Sequence, residues 1–133
     1  MGETPKSTSP DQSKMQLPGL AGKRIVVTAG ASGIGFAIAH SLFEQGARLA
    51  ICDVDADALQ QASAALGGCL AILTDVSDDV AVAHFFDKVR TELGGLDALV
   101  NNAGIAGPTG GIEDLSPFDW RRCIDICLTG QFL

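Results

Sequence analysis

The chain has 133 residues and no tyrosine, and this length predicts a single domain of globular composition, with 47% hydrophobic and 19% charged residues. Its formal net charge of −7, without a cluster of lysine and arginine, argues against nucleic acid as a partner, and no apolar run approaches the ~18 residues needed to cross a bilayer. The lack of tyrosine excludes every mechanism in which a residue of this chain acts as a phenolic acid or base.

The first 20 residues differ in composition from the rest of the chain. They are rich in Ser, Thr, Pro and Lys and hold little that could be buried, which predicts a mobile tail over residues 1–20 and a folded domain over 21–133. They contain no apolar stretch of the kind found in a secretory signal, so we expect a cytoplasmic protein.

Short apolar runs alternate with amphipathic segments from Gly22 onward. Each run is too short for a helix and rich in β-branched or aliphatic residues, which is typical of a buried strand. The alternation predicts the order β-α-β-α-β-α-β-α. In chain order we predict a strand at 24–28, a helix at 33–45, a strand at 48–52, a helix at 56–66, a strand at 69–73, a helix at 78–93, a strand at 98–101, a glycine-rich loop at 102–114, and a helix from 117 toward 133.

Polar residues at the predicted helix starts match N-cap positions. Asp55 is expected to cap the second helix, Ser77 the third and Ser116 the fourth, while glycines end the first three. These helices are also expected to bury apolar stripes. The stripes are Ile34, Ala37, Ile38, Ser41 and Leu42 on the first helix, and Val82, Phe85, Phe86, Val89 and Leu93 on the third.

Continuous apolar strands that alternate with helices are typical of a parallel sheet covered on both faces, with right-handed crossovers. The predicted fold class is therefore α/β, with a doubly wound, Rossmann-like parallel sheet. Residues 130–133 show no helix C-cap and no polar closing turn, so we expect a sheet that is truncated after about four βα units. Its fourth strand would then present an apolar open edge.

The four cysteines stand at positions 52, 69, 123 and 127 and form no Cys-x-x-Cys pair. Without a secretory signal, we expect reduced thiols that pack as small hydrophobic side chains. Cys123 and Cys127 are four residues apart and share one face of a helix, where two zinc ligands could lie. No histidine or second cysteine pair accompanies them, and we predict no metal site.

The segment from Thr28 to Gly35, with the sequence TAGASGIG, joins the first strand to the first helix. A turn of small residues allows a pyrophosphate to approach backbone N–H groups at a helix N-terminus, where the helix dipole is positive. The spacing differs from the common G-x-G-x-x-G fingerprint. By itself the segment fits a tightly packed βα turn equally well.

Asp53 follows the second strand. In dinucleotide-binding sheets an acidic residue about 20 positions after the glycine turn binds the adenosine ribose hydroxyls. A carboxylate at this place accepts both hydroxyls and repels a 2′-phosphate, which favours NAD over NADP. The alternative is that Asp53 only starts a turn together with Asp55.

In combination, these motifs resemble the short-chain dehydrogenase/reductase family. The segment 28–35 matches the family motif T-G-x-x-x-G-x-G, with Ala29 in place of the first glycine. Asp75-Val76 resembles the family's contact to the adenine ring, and Asn101-Asn102-Ala103-Gly104 matches its N-N-A-G motif, which stabilises the sheet and lines the cofactor site. Asp119-Trp120 is similar to the start of the following family helix.

The resemblance implies an NAD-dependent oxidoreductase that transfers hydride between the nicotinamide cofactor and an alcohol or carbonyl substrate. This chain would be its N-terminal, cofactor-binding part, and the complete enzyme would be a homo-oligomer with a dimer contact on the last helix. The implied cofactor-binding residues are Ala29, Ser32, Gly33, Ile34, Asp53, Val54, Asp75, Val76, Asn102, Ala103 and Gly104.

The chain departs from the family at its proton-transfer groups. The family's catalytic Ser and Tyr-x-x-x-Lys would lie beyond residue 133, so we predict no catalytic residue in this chain; His40 and His84 fall within helices. In the family motif D-x-N-L-x-G the Asn helps to hold a proton-relay water, whereas here Cys127 takes that position. A thiol does not reproduce the donor and acceptor pair of an amide, and we expect Cys127 to be a packing residue. The alternative function is a module that binds a nucleotide or a protein partner without turnover.

Overall fold

The structure is a computed structural model, and it describes residues 17–133. It confirms the predicted order of strands and helices. The tail predicted over residues 1–20 falls mainly on residues 1–16, which lie outside the described part. The strands are β1 (Arg24–Thr28), β2 (Arg48–Asp53), β3 (Leu70–Leu73) and β4 (Ala98–Val100); the helices are α1 (Gly33–Glu44), α2 (Ala56–Ala65), α3 (Asp79–Leu93) and α4 (Pro117–Ile124), followed by a π-helical turn (Asp125–Thr129) and α5 (Gly130–Phe132), and a 3-10 turn (Ile112–Asp114) precedes α4.

The four strands form one parallel sheet in the order β3-β2-β1-β4. Successive residues of a strand point to opposite faces, so Val27 and Ile51 pack in one core cluster, while Val26 and Cys52 pack in the other. Residues of α1 and α2 pack in the first cluster, and Phe85, Val89 and Leu93 of α3 pack in the second. The sheet is therefore doubly wound, as predicted.

The strand order reverses direction between β1 and β4. The chain leaves β1 through α1 on one face and returns from β3 to β4 through α3 on the other face. In open α/β sheets such a switch point forms a crevice at the carboxyl ends of the strands, and ligands bind there. Val27 of β1 pairs with Val100 of β4. The turn at 28–35 and the segment at 101–104 therefore follow two neighbouring strands and lie next to each other at the same edge of the sheet.

The predicted apolar stripe of α1 is wrong in its orientation. Ile34 is 76% exposed, and Ala37 and Ser41 also face solvent, so only two members of the stripe are partly buried. The buried residues of the helix are Gly35 and Ala39. The close contact of Gly35 with the β1–α1 turn sets this rotation, and a count of apolar periodicity cannot detect it.

The N-cap of α3 is Asp78 and not the predicted Ser77. Oδ1 of Asp78 accepts hydrogen bonds from the backbone N–H groups two and three residues on, at 2.9 and 3.0 Å. Ser77 instead donates its hydroxyl proton to Asp75 within the turn that leaves β3. The predicted caps of α2 and α4 are confirmed.

An arginine–aspartate pair joins β1 to the segment before β4 at the amino-terminal edge of the sheet. Nε and Nη2 of Arg24 donate to the two carboxylate oxygens of Asp97 at 3.0 and 2.8 Å, and Nη1 donates to the carbonyl oxygen of Gly94 at 2.8 Å. Hydrogen bonds from the guanidinium hold the pKa of the Asp97 carboxyl well below its usual range. The end of α3 is thereby anchored on the side of the sheet opposite the predicted site.

Strand β4 forms one edge of the sheet. Within the described residues it pairs with β1 alone. Leu99 is 41% exposed there, and Ala98 is also exposed. The apolar open edge predicted for the fourth strand is present.

Candidate functional site

The turn between β1 and α1 is shaped by the close approach of the helix. A Cβ atom at Gly35 would collide with the carbonyl oxygen of Ala29 and would stand 2.5 Å from Nδ2 of Asn102. Ala29 itself has a φ of 49°, in the left-handed region that favours glycine. Ala29, which replaces the first glycine of the motif, is therefore small enough for the turn but has a strained backbone conformation.

The amino terminus of α1 differs from those of the other three long helices in residues 17–133. Helices α2, α3 and α4 begin with side-chain caps from Asp55, Asp78 and Ser116. The N-cap of α1, Ser32, makes no such hydrogen bond, and no acidic residue lies in the first turn. A Cβ atom at Gly33 would meet no atom within 4 Å. The first N–H groups of α1 and the positive end of its dipole are therefore available to an anion.

The carboxylate of Asp53 lies at the end of β2 and is held by backbone N–H groups. Its Oδ2 accepts the N–H of Ala31 at 3.2 Å, and its Oδ1 accepts those of Val54 at 2.8 Å and Asp55 at 3.3 Å. Asp53 thus starts a turn with Asp55, which is the alternative raised by the sequence. It also contacts the β1–α1 turn, as the dinucleotide-binding hypothesis requires.

Asn102 joins the end of β4 to the β1–α1 turn. Its Nδ2 donates to the carbonyl oxygens of Thr28 and Ala29, both at 3.1 Å. The Thr28 hydroxyl oxygen in turn accepts the backbone N–H groups of Asn102 and Ala103, both at 3.0 Å. The side chain of Asn102 therefore stabilises the turn, and Thr28, the first residue of the glycine motif, is its reciprocal partner.

Asp75 is held in place by the turn that leaves β3. Its Oδ1 accepts the hydroxyl proton of Ser77 at 2.6 Å and the backbone N–H of Ser77 at 2.9 Å. These hydrogen bonds lower the pKa of the Asp75 carboxyl, and the positive charge of Arg122 contributes a smaller effect. The carboxylate is therefore negatively charged at neutral pH and fixed in orientation.

These groups surround one cleft at the carboxyl edge of the sheet, with a volume of about 100 Å³. Seven of the eleven residues predicted from the sequence line it. Ser32, Gly33 and Ile34 lie outside this lining, at the start of α1, and Asn102 is engaged with the turn. The lining residues are Ala29, Asp53, Val54, Thr74, Asp75, Val76, Ala103 and Gly104.

Thr74 is the one lining residue that sequence reasoning did not single out. It is 3% exposed, its N–H donates to the carbonyl oxygen of Asp53 at 2.9 Å, and its hydroxyl donates to the carbonyl oxygen of Ile72 at 3.2 Å. Its position directly after the apolar run of β3 could have identified it, because the residues that follow parallel strands meet at the ligand-binding edge.

The thiol of Cys127 contacts the loop that follows Gly104. Its Sγ accepts the backbone N–H of Ile105 at 3.3 Å and donates to the carbonyl oxygen of the same residue at 3.4 Å. The thiol therefore makes two weak sulfur hydrogen bonds to a single residue of the loop. Cys127 lies in the π-helical turn, a rare form of helix that often occurs near functional sites.

The profile of the short chain dehydrogenase family matches residues 23–133. The chain belongs to the short-chain dehydrogenase family. The short chain dehydrogenase/reductase dpmpG from Macrophomina phaseolina is 38% identical to it over 126 residues, which cover 91% of this chain and 72% of that protein. The cis-4-hydroxycyclohexanecarboxylate dehydrogenase from Sinomonas cyclohexanicum is 46% identical over 111 residues, which cover 81% of this chain and 45% of that enzyme. These relatives support an oxidoreductase at the level of the family.

A solved structure shows that the fold is also that of the family. The 3-ketoacyl-(acyl-carrier-protein) reductase from Brucella melitensis, complexed with NADH, matches this short-chain dehydrogenase with a TM-score of 0.82 at 28% identity. The match covers 86% of this chain and 47% of the reductase, so the chain spans about half the length of several relatives. Within residues 17–133, no helix combines the length and the hydropathy required to cross a membrane.

Proposed function

We propose that this short-chain dehydrogenase chain binds NAD in the cleft at the β1–α1 turn. It would form the cofactor-binding part of an oxidoreductase that transfers hydride between NAD and an alcohol or carbonyl substrate. The observation that carries the proposal is that an uncapped helix N-terminus and the carboxylate of Asp53 stand at the same switch point of the sheet. The adenosine diphosphate part of a dinucleotide presents the matching groups, which are an anionic pyrophosphate and a pair of ribose hydroxyls.

We assign the pyrophosphate to the start of α1, formed by Ser32, Gly33 and Ile34. The space above Gly33 allows a phosphate oxygen to approach backbone N–H groups, and no side chain caps them. Gly35 supports the same site from below, because its lack of a Cβ allows the helix to begin close to the end of β1.

We assign the adenosine ribose to Asp53. Three backbone N–H groups fix its carboxylate and leave acceptor capacity for ribose hydroxyls. A 2′-phosphate would place further negative charge against this carboxylate, and no lysine or arginine among residues 17–133 forms an ion pair with it. These features favour NAD. One relative, an (R)-specific alcohol dehydrogenase, is NADP-dependent, so membership of the family does not decide the cofactor.

We assign the adenine ring to the wall made by Val54, Asp75 and Val76. The opposite wall consists of Ala29, Ala103 and Gly104 and contains almost no side-chain bulk, which fits an extended cofactor that continues along it toward the end of β4. Because Asn102 is engaged with the turn, its contribution is to hold this wall against β1.

Bound NAD would supply the hydride acceptor, while the residues of this chain bind and orient it. The family's proton-transferring acid is a tyrosine, and the 133 residues contain none. We therefore expect the chain by itself to bind NAD without turnover, which is also the behaviour of a non-catalytic nucleotide-binding module. Steady formation of NADH by the purified chain with any alcohol would contradict this expectation.

Calorimetric titration of NAD and NADP into the wild type, Asp53→Asn and Asp87→Asn tests the cofactor assignment. NAD should bind more tightly than NADP to the wild type, and D53N should weaken NAD about tenfold to hundredfold, since a charge-assisted hydrogen bond is worth ~1.5–3 kcal/mol. Asp87 lies on the exposed side of α3, where it pairs with Arg90, so D87N removes the same charge away from the cleft. Tighter binding of NADP, or an equal loss in both variants, would refute the role of Asp53.

We also propose that the chain self-associates through the exposed face of the last helix. Trp120, Ile124 and Leu128 recur at every fourth position and are 59%, 36% and 64% exposed. An exposed apolar stripe of this kind is typical of an interaction surface. Light scattering should detect a dimer or larger species, and Trp120→Ser should shift it toward the monomer, whereas Arg121→Ser, one residue along the helix, should not. A monodisperse wild-type monomer would contradict the proposal.

A further inference from the structure

Two cysteines of the last helix lie against one short loop, which comprises Gly104 to Gly107. The Sγ atom of Cys127 makes both of its hydrogen bonds to Ile105 in this loop. The same Sγ stands 3.7 Å from the place where a Cβ at Gly104 would be, and the Sγ of Cys123 stands 2.5 Å from the corresponding place at Gly107. Both cysteines are partly exposed. The loop therefore rests on two neighbouring thiols.

The opposite side of this loop forms part of the candidate cofactor cleft. Ala103 and Gly104 line the cleft, and Gly104 lies between it and the thiol of Cys127. The backbone N–H of Ala103 is in turn bonded to the Thr28 hydroxyl, so the loop continues directly from the segment that joins β4 to the β1–α1 turn. A change in the contact between Cys127 and Ile105 would therefore displace Ala103 and Gly104, which line the cleft.

The two cysteines cannot be bonded to each other while Cys127 holds the loop. Side chains four residues apart on a helix have Cβ atoms about 5–6 Å apart, whereas a disulfide requires about 3.8 Å. The π-helical turn Asp125–Thr129 begins between the two cysteines. A π-helical turn is wound more loosely than an α-helix, so the distance between the two cysteines can change there. We expect movement of the Cys127 sulfur toward Cys123 to lengthen its contacts with Ile105, so that the disulfide state competes with the loop-bound thiol state.

We propose that Cys123 and Cys127 form a redox-sensitive modification site whose reactant is a low-molecular-weight disulfide of the oxidised glutathione type. One thiolate of the pair attacks a sulfur of the reactant, which forms a mixed disulfide and releases one thiolate of the reactant. The second cysteine then attacks the protein sulfur of that mixed disulfide and releases the other. The two cysteines lose two protons and two electrons, and the disulfide reactant is reduced to two thiols.

The other two cysteines provide an internal comparison. Burial raises the pKa of the Cys52 thiol and of the Cys69 thiol to about 11, so both remain protonated near neutral pH and react poorly. The disulfide between Cys123 and Cys127 would be strained, which makes it easily reduced and suits a reversible switch. Loss of the Ile105 contact would loosen the cleft wall and weaken cofactor binding; this consequence rests on the proposed function.

The test compares the 133-residue chain before and after treatment with excess oxidised glutathione. Peptide mapping by mass spectrometry should find a disulfide between Cys123 and Cys127, and hydrogen exchange of the Ile105 amide should become about tenfold faster. Dithiothreitol should reverse both changes. The Cys123→Ser variant should stop at a glutathione adduct on Cys127, while Cys69→Ser, the matched control, should behave as the wild type does.

Failure to form the internal disulfide under excess oxidant, or its formation with unchanged exchange at Ile105, would overturn the proposal. Neither readout requires a cofactor. If the reduced chain does not bind NAD, the proposed function fails while the mass and exchange data still decide the thiol chemistry. If the reduced chain binds NAD, the disulfide form should bind it several-fold more weakly, and equal affinity would disprove the coupling to the cleft.

Discussion

Replacement of Gly35 by alanine would disturb the contact on which the cleft depends. The added Cβ would collide with the carbonyl oxygen of Ala29 and would stand 2.5 Å from Nδ2 of Asn102. The carbonyl belongs to the backbone, so no change of rotamer can relieve the collision. Either α1 or the β1–α1 turn has to move, and the proposed pyrophosphate site moves with it.

The expected loss in the free energy of unfolding is about 2–4 kcal/mol. Overpacking of a close contact costs ~1–3 kcal/mol. Displacement of Asn102 removes its hydrogen bonds to the carbonyl oxygens of Thr28 and Ala29, each worth about 1 kcal/mol. The better helix propensity of alanine returns roughly 1 kcal/mol.

Urea denaturation of G35A and of two other glycine variants separates the cost of the Cβ collision from the cost of backbone strain in the free energy of unfolding. Gly110→Ala meets only Cβ of Asp114 at 4.0 Å and should change stability little. Gly33→Ala meets no atom within 4 Å but has a φ of 52°, so strain alone should cost about 1 kcal/mol. G35A should be the least stable of the three, and G35A and G33A should both bind NAD more weakly than G110A, because both alter the proposed pyrophosphate site. Stability equal to that of G110A, at an unchanged m value, would refute the close approach of α1 to the turn.

Two further predictions concern strain and charge. Ala29→Gly should raise the free energy of unfolding by up to about 1 kcal/mol, because glycine adopts the left-handed φ of 49° without strain. Part of this gain is offset by the larger conformational entropy that glycine gives to the unfolded chain. A less stable variant would contradict this prediction. The folded pKa of Asp97 lies below the unfolded value near ~3.9, so its stabilising contribution is complete above about pH 5 and is lost as the pH falls through about 4 and below. Asp97→Asn should therefore lower the Tm at neutral pH, and its difference from the wild type should shrink in acid; a constant difference from neutral to acid pH would argue against the Arg24 pair.

Local patterns were sufficient to predict the elements and their order. The apolar run at 24–28 forms β1 within the same bounds, because a buried strand needs only a short β-branched segment between turn residues. Asp55 and Ser116 cap their helices as predicted, since a cap joins residues only three positions apart. The parallel sheet follows from the alternation itself, because a helix between two strands returns the chain to the edge of the sheet at which the first strand began.

The location of the candidate site was also predictable, because residues that follow parallel strands meet at one edge of the sheet. Asp53 was assigned to the site by its place after β2, whereas Asp75 and the segment at 101–104 were assigned by the family resemblance; Asp53, Asp75, Ala103 and Gly104 line one cleft. Local pattern failed at Ser77, where Asp78 was an equally good cap one residue later, and only the turn that engages Ser77 with Asp75 distinguishes them.

The sequence by itself thus determined the strands, most helix caps, the order of the elements along the chain and the edge at which the site lies, whereas the spatial order of the strands came from the tertiary structure. The tertiary structure decided which face α1 buries, that Asn102 bonds the carbonyl oxygens of Thr28 and Ala29, and that the Cys127 thiol holds Ile105. The contacts of Asn102 and Cys127 join residues more than 20 positions apart in the chain, whereas the rotation of α1 is set by the approach of Gly35 to the β1–α1 turn, which lies nearby in the chain. Their distances depend on how helices pack against the sheet, and no local periodicity carries that information.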